Sequence, residues 1–461
     1  MRRKVEGCLV ADFNLVHARC TPGSNAQNGV SHGVILDGIY LAAPTGVVCV
    51  PDLNLGATRF STCARSAGTC FVAPHRTKTK RTRVYYCQMD AQTKALITAS
   101  IRGVAQVTES SMGLTFSRLP AWTELHHQHD ALTGKVAKQG SGVRLLLATS
   151  ATQISLIYRA TLDAPESVDN PGASTISISC EGFEESISHS NGDVRVWTGP
   201  DNPELVRGEN SVATFNLPET LEATSPDVRQ VSIWLPHNCE VELIGLEANA
   251  PLEPGAPSKK RWLHYGSSIS HSMEADNPLG VWPTRVAIDE GLDLYSLGLA
   301  GSCNLEHFAA RTIAAWPAGL ITLKLGINVV NGATMTERTF ISAVHGLLDI
   351  IREQQPETRV VLISPIYCEG HETNPGPTSA APDGKATGSK PSGIDWVKEL
   401  TLVRAREILA DVVSRRAEAN LEYIDGLQLF SAADSHLMPD GLHPNAEGYL
   451  LIAERFKKLV F

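Results

Sequence analysis

From about residue 97 onward, apolar and polar residues alternate in short runs. Thr175-Ile176-Ser177-Ile178-Ser179-Cys180 alternates cleanly, as do Val231-Ser232-Ile233-Trp234-Leu235 and Val241-Glu242-Leu243-Ile244. Arg144-Leu145-Leu146-Leu147-Ala148 and Gln153-Ile154-Ser155-Leu156-Ile157-Tyr158 are also strand-like, with a polar turn between them. A two-residue period turns one face of a strand to a core and the other to water. Asn191-Gly192-Asp193 and Arg207-Gly208-Glu209-Asn210 supply turn chemistry between runs. Short strands at this spacing predict an antiparallel, jelly-roll-like β-sandwich over residues 97–250. Asn249 to Lys260, with three prolines and a Gly-Ala-Pro, reads as a linker.

Beyond it, over 251–461, strand-like runs alternate with longer helical patterns. Strands are expected at 262–265, 293–297, 319–325, 358–364 and 421–424, and helices at 281–290, 304–316, 335–353, 394–418 and 445–458. That alternation predicts an α/β domain, a parallel sheet with helices on both faces. Open sheets of this kind carry their sites at the C-terminal ends of the strands.

Candidate chemistry falls at those ends. Asp440-Gly441-Leu442-His443-Pro444 sets a carboxylate three residues before a histidine on a turn. A carboxylate at imidazole Nδ1 fixes the tautomer, so Nε2 can take a proton from a nucleophile. Ser268, in His264-Tyr265-Gly266-Ser267-Ser268-Ile269-Ser270-His271, follows a strand and a glycine and supplies the hydroxyl. Gly301, in Leu297-Gly298-Leu299-Ala300-Gly301-Ser302-Cys303, and Asn328, in Leu325-Gly326-Ile327-Asn328-Val329, also follow apolar runs. A backbone N–H without a side-chain screen and a side-chain NH2 are the donors an oxyanion needs.

Gly-x-Ser, then Gly, then Gly-x-Asn, then Asp-x-x-His, in that order, resembles the SGNH (GDSL-type) hydrolase superfamily over roughly residues 260–461. The resemblance implies a flavodoxin-like hydrolase domain, with Ser268 as nucleophile, His443 as general base and Asp440 orienting it. It implies an oxyanion hole built from Ser268 N–H, Gly301 N–H and the Asn328 side chain. Two positions depart from the usual pattern. Ser267 stands where an Asp is usual, and Val329 follows Asn328 where an Asp is more common. Neither removes a group that does acyl chemistry, but both put local loop geometry and substrate class in question. A sandwich ahead of such a domain resembles some carbohydrate acetylesterases. The expected activity is hydrolysis of short O-acyl esters, for example acetyl groups on a sugar or another polar alcohol. A lipase or lysophospholipase is the alternative within that class. A non-catalytic carbohydrate-binding protein is the alternative outside it, against which the complete residue set weighs.

Composition narrows the partners. The chain has 461 residues, more than one typical domain. No apolar run approaches the roughly 18 residues of a membrane-crossing helix. The start lacks a signal-peptide core, which gives a cytoplasmic expectation. No metal set or cofactor motif is evident, so none is expected, and no nucleic-acid partner is. Residues 1–88 carry 11 Lys/Arg against 4 Asp/Glu and six of the ten cysteines, but no zinc-type spacing. They read as a poorly ordered extension, with translation beginning at Met89; the first 96 residues are set apart from the two domains. His126-His127-Gln128-His129-Asp130 reads as a solvated loop. His436 is a weak alternative base, Ser270 a weak alternative nucleophile. His264 and His271 read as structural rather than substrate-touching, and Cys180 and Cys239 as reduced core thiols. The Gly/Pro/Ser-rich stretch from Glu369 to Pro391 is either a lid or specificity loop at the site's edge, or a disordered insertion.

Overall fold

The computed structural model describes residues 89–166, 171–197, 203–218, 228–394 and 397–461, together with the backbone of two short antiparallel pairings, Gly33–Leu36 with Ile39–Ala42 and Arg65–Ser66 with Thr69–Cys70. The rest of residues 1–88, and the expectations placed on them, lie outside the described residues.

Helix α1 (Ala91–Ser100) comes first, capped by the Asp90 side chain, which accepts from Thr93 N–H. The strand reading from residue 97 did not include it. Met89 and Ile97 are buried in the core of the β-rich region that follows. One sheet of that region runs β7 (Phe183–His189), β6 (Ser174–Cys180), β11 (Arg229–Trp234), β4 (Arg144–Thr149), β13 (Leu252–Pro254), with β1 (Ile101–Arg102) also on β4. The other runs β9 (Pro203–Val206), β8 (Asp193–Trp197), β5 (Gln153–Pro165), β12 (Glu240–Ala248), β3 (Leu114–Ser117), β2 (Gln106–Glu109), with β10 (Ser211–Asn216) also on β5. Leu145, Ile178 and Val231 from the first meet Leu156, Phe215 and Leu243 from the second in one core. Two details differ from the sequence reading. β8 lies parallel to β5, Asp193 opposite Thr161, within otherwise antiparallel sheets. β13 lies inside the stretch read as a linker, because its backbone completes the exposed edge of β4, Leu252 opposite Thr149.

The α/β region carries a five-stranded parallel sheet in the order β15 (Asp293–Gly298), β14 (Arg261–Gly266), β16 (Leu320–Lys324), β17 (Arg359–Ile363), β20 (Leu421–Ile424). Its strands occur in the order 2-1-3-4-5 from that edge, the flavodoxin-like arrangement. β15 and β16 are buried at every position, since helices cover both faces, and so they read as mostly apolar runs in which the few polar residues, such as Ser296 and Thr322, are buried too. Helices α5 (Trp282–Asp289), α6 (His307–Ala315), α8 (Glu337–Gln354), α9 (Leu402–Arg416) and α10 (Ala446–Val460) lie where helices were expected, with one correction. The pattern at 394–418 becomes helical only from Leu402. Lys398 sits at φ +51°, outside right-handed helix, and the Thr401 hydroxyl then caps Arg404 N–H at 3.3 Å.

Helix α10 shows how the chain's end is fixed. Tyr449, Ile452, Ala453, Phe456 and Val460 repeat at three- and four-residue steps and are all buried. Phe456 stacks on Trp262 at 5.4 Å and meets Trp282 at 5.1 Å. Removing so buried a ring costs about 3–5 kcal/mol in comparable cores. The turn just before α10 is therefore tied to a rigid element.

The two regions share a polar seam. Arg118 is fully buried. Its Nε donates to Gln139 O at 2.9 Å, Nη1 to Ser296 O at 3.1 Å and Gly298 O at 2.8 Å, and Nη2 to Val136 O at 2.6 Å. Burial, against the opposing pull of Tyr295, lowers its guanidinium to about 9. Arg144 pairs with Asp293 at 2.7 Å, nearly buried on both sides. Leu119, Val136 and Ala137, from the chain between β3 and β4, belong to the core of the α/β region.

Candidate active site

Ser268, Gly301 and Asn328 follow β14, β15 and β16 at the same end of the sheet. β15 and β16 flank β14, so Ser268 and Asn328 lie at the switch point of the strand order, where open sheets form a crevice. Ser268 opens the single-turn helix α4 (Ser268–His271). Ser267, the position at which the motif departs, caps that turn by accepting from Ile269 N–H at 3.4 Å. A capping oxygen is what the usual Asp offers at a helix start, so the substitution keeps the local turn. Helix α4 lies so close on β15 that a Cβ at Gly298 would come within 2.6 Å of Ser270 C and His271 N.

Across the crevice, the turn before α10 carries the imidazole. Ser268 Oγ–H donates to His443 Nε2 at 2.9 Å, and His443 Nδ1–H donates to Asp440 Oδ2 at 2.7 Å. Asp440 Oδ1 accepts the N–H groups of Leu442 at 2.8 Å and His443 at 2.6 Å. Burial would raise the Asp440 carboxyl, but the His443 ring and those two N–H groups bring it down to about 2. Burial would lower the His443 ring, but its bond to Asp440 and the charges of Glu274 and Asp440 hold it above the ordinary imidazole value. An ionised carboxylate thus faces a ring made more basic, the electrostatics of a proton acceptor.

Asn328 and Gly301 are the donors expected from the sequence. Asn328 is buried, and its Oδ1 accepts Cys303 N–H at 3.1 Å, which leaves the NH2 as its free end. Gly301 has φ +71°, a left-handed conformation that favours glycine. It is exposed, and a Cβ there would lie 2.6 Å from Leu132 Cδ2. Leu132 belongs to α3 (Ala131–Ala137), ahead of β4, so this earlier segment walls the site beside Gly301.

Other candidates fall elsewhere. Ser270 Oγ bonds His264 Nε2 at 2.7 Å, and His264 Nδ1 bonds Thr322 Oγ1 at 2.7 Å, all three buried between α4 and the strands β14 and β16. Burial and then Lys324 push His264 down to about 3. His271 Nε2 donates to His237 O at 2.6 Å and belongs to the seam between regions. His436 is exposed and its Nδ1 lies 3.2 Å from Ala433 O. Cys180 and Cys239 are free and buried. His126 and His127 lie against the Phe308 ring, and among the described residues no group of side chains could hold a metal ion. The 369–391 stretch is largely ordered along the acid's turn: β18 (Ser379–Ala380) pairs with β19 (Ala386–Thr387), and Ala386 N–H donates to Asp440 O at 2.7 Å. It is a support for Asp440, a role that no local pattern announced.

Three residues at the site had no signal in the sequence. Leu132 reaches it from another part of the chain, and Arg118, from the same part, holds the backbone of β15 behind it. Glu274, six residues past Ser268, places Oε1 at 3.8 Å from His443 Nδ1.

The comparisons bear on the family and the fold. Residues 264–451 match the GDSL-like lipase/acylhydrolase family. Among solved structures, a salicylyl-acyltransferase from a tetracycline biosynthetic pathway is similar at 25% identity and a TM-score of 0.63, covering 78% of this chain and 93% of that one. A structure described as a GDSL-like lipase from Bacteroides ovatus is similar in fold, at 16% identity and a TM-score of 0.53, covering 78% and 94%. No curated protein matches the chain. Among the described residues, no helix is long and apolar enough to cross a membrane.

Proposed function

We propose that the protein is a serine esterase working through Ser268, His443 and Asp440 on short-chain O-acyl esters of a polar alcohol such as a sugar, on the premise that residues 264–451 match the GDSL-like lipase/acylhydrolase family. The observation that carries the reading is the unbroken relay from Ser268 Oγ through His443 to Asp440, at 2.9 and 2.7 Å.

In this mechanism Ser268 Oγ attacks the ester carbonyl while His443 Nε2 takes its proton. Asp440 holds the ring's Nδ1–H and balances the imidazolium. The oxyanion meets Ser268 N–H, Gly301 N–H and Asn328 NH2. Collapse breaks the bond to the alcohol oxygen, which leaves with the proton from His443. Water then attacks the acyl-enzyme, gives its proton to the same nitrogen, and releases the acid and free Ser268.

A second reading shares the first half-reaction. One similar structure is described as an acyltransferase, and an acyl-enzyme can equally be resolved by an alcohol. The partition is measurable: nitrophenyl acetate is turned over with and without added sugar alcohols, and acid and new ester are both quantified. Acid alone supports the esterase, and new ester in excess of acid supports transfer. The test of the site itself is labelling by a fluorophosphonate. Wild-type protein labels and Ser268→Ala does not; labelling that survives in Ser268→Ala refutes the assignment.

A further inference from the structure

His443 Nδ1 has two carboxylates within reach. Asp440 Oδ2 bonds it at 2.7 Å, and Glu274 Oε1 stands at 3.8 Å. Glu274 comes from the segment after α4, beyond Ser272, which turns the chain at φ +57°. Its second oxygen, Oε2, accepts the Tyr449 hydroxyl at 2.6 Å. Tyr449 is fully buried in α10, and burial, then Glu274, hold its phenol well above the ordinary value, so it remains a neutral donor. The carboxylate is thus pinned by the helix that fixes the histidine's own turn. Asp440 sits on the histidine's own turn and is comparably exposed, its side chain at 49% against 40% for Glu274.

Resting on the esterase reading above, we propose that Glu274 is a positioning residue for catalysis, a second carboxylate that shares with Asp440 the task of orienting His443 and stabilising its protonated form. At 3.8 Å it acts by charge while Asp440 holds the hydrogen bond, and a shift of about 1 Å brings it into bonding range when Asp440 is lost. The other groups around the ring's turn are Ser268 from α4, Tyr449 from α10, Cys368, whose Sγ–H donates to Gly441 O at 3.1 Å, and Lys385, beside Gly441 on the 379–387 hairpin. None of these offers His443 a negative charge at neutral pH, since the Cys368 thiol is pushed up by burial to about 12.

The experiment reads His443 directly and by turnover. Histidine-labelled protein is titrated by NMR, with His443→Ala for assignment, and kcat/KM for nitrophenyl acetate is followed against pH. A negative charge stabilises imidazolium, so Glu274→Gln lowers the His443 pKa and moves the acid limb of kcat/KM to lower pH, by about half a unit for a partly exposed pair. Tyr449→Phe keeps the charge but frees it, and gives a smaller shift in the same direction. In turnover above the acid limb, Glu274→Gln costs only a few-fold alone and on the order of tenfold in an Asp440→Asn background, because the two carboxylates back each other up. A merely structural Glu274 would lower the melting temperature without moving the titration. An unchanged His443 titration in folded Glu274→Gln, or equal cost in both backgrounds, overturns the proposal. The NMR arm does not need turnover, so a wild type that titrates as expected but fails to react with a fluorophosphonate refutes the esterase reading instead.

Discussion

Asn328→Ala removes one side chain with an observed structural duty and a proposed catalytic one. Its Oδ1 holds Cys303 N–H at 3.1 Å, and its NH2 is the free end. The first duty is structural: leaving a buried N–H without its acceptor costs about 1–3 kcal/mol. For a region of some 200 residues that lowers Tm by about 2–12 °C. The second duty exists only once the carbonyl oxygen carries charge, so ground-state binding barely senses it. One such donor contributes about 3 kcal/mol to the barrier, so kcat falls by roughly 100- to 1000-fold while KM moves little. Asn328→Asp keeps an oxygen for Cys303 N–H but replaces the donor by a carboxylate, so kcat falls at least as far as in the alanine variant, while the desolvation of the new buried charge keeps Tm from recovering fully. Steady-state kinetics on nitrophenyl acetate and thermal melts on one preparation give both numbers. A kcat within a few-fold of wild type in Asn328→Ala, with Tm lowered, would mean that the residue only braces the turn and that the oxyanion assignment is wrong.

Gly301→Ala must place a methyl 2.6 Å from Leu132 Cδ2 and hold φ at +71°, so it should lower kcat at least tenfold; Gly301→Ala/Leu132→Ala should recover part of that loss, and no recovery would argue that backbone strain alone is responsible. Asp293→Ala leaves Arg144 buried and uncompensated, and urea unfolding should register a loss of about 3–5 kcal/mol; a loss below 1 kcal/mol would mean that water reaches the seam. A chain starting at Met89 should fold and hydrolyse nitrophenyl esters as the full chain does, whereas one starting at Gln92 loses the buried Met89 and the Asp90 cap and should melt earlier; inactivity of the Met89 chain would show that residues 1–88 are needed.

The parts legible in the sequence are those governed by local periodicity. Buried parallel strands such as Leu320–Lys324 announce themselves because both faces are covered, and α10 because its apolar residues fall on one stripe. Strand ends then placed Ser268, Gly301 and Asn328 on one edge, and a three-residue spacing joined Asp440 to His443, since a turn of that length lets a carboxylate meet Nδ1 of the ring. Capping was not legible: the pattern at 394–418 gave no start at Thr401, and Lys398 at φ +51° keeps the residues around it out of the helix without a glycine to mark the break. What no window along the chain contains is a contact between distant segments. Glu274 reaches His443 across 169 positions in the sequence, Leu132 covers Gly301, Arg118 binds the carbonyls of β15, and β8 runs parallel to β5. Each depends on how finished elements pack, and a charge or methyl looks the same in the sequence whether it faces water or another element. The composition of the site is therefore written locally, while its electrostatics and its walls come from the packing of the two regions against each other.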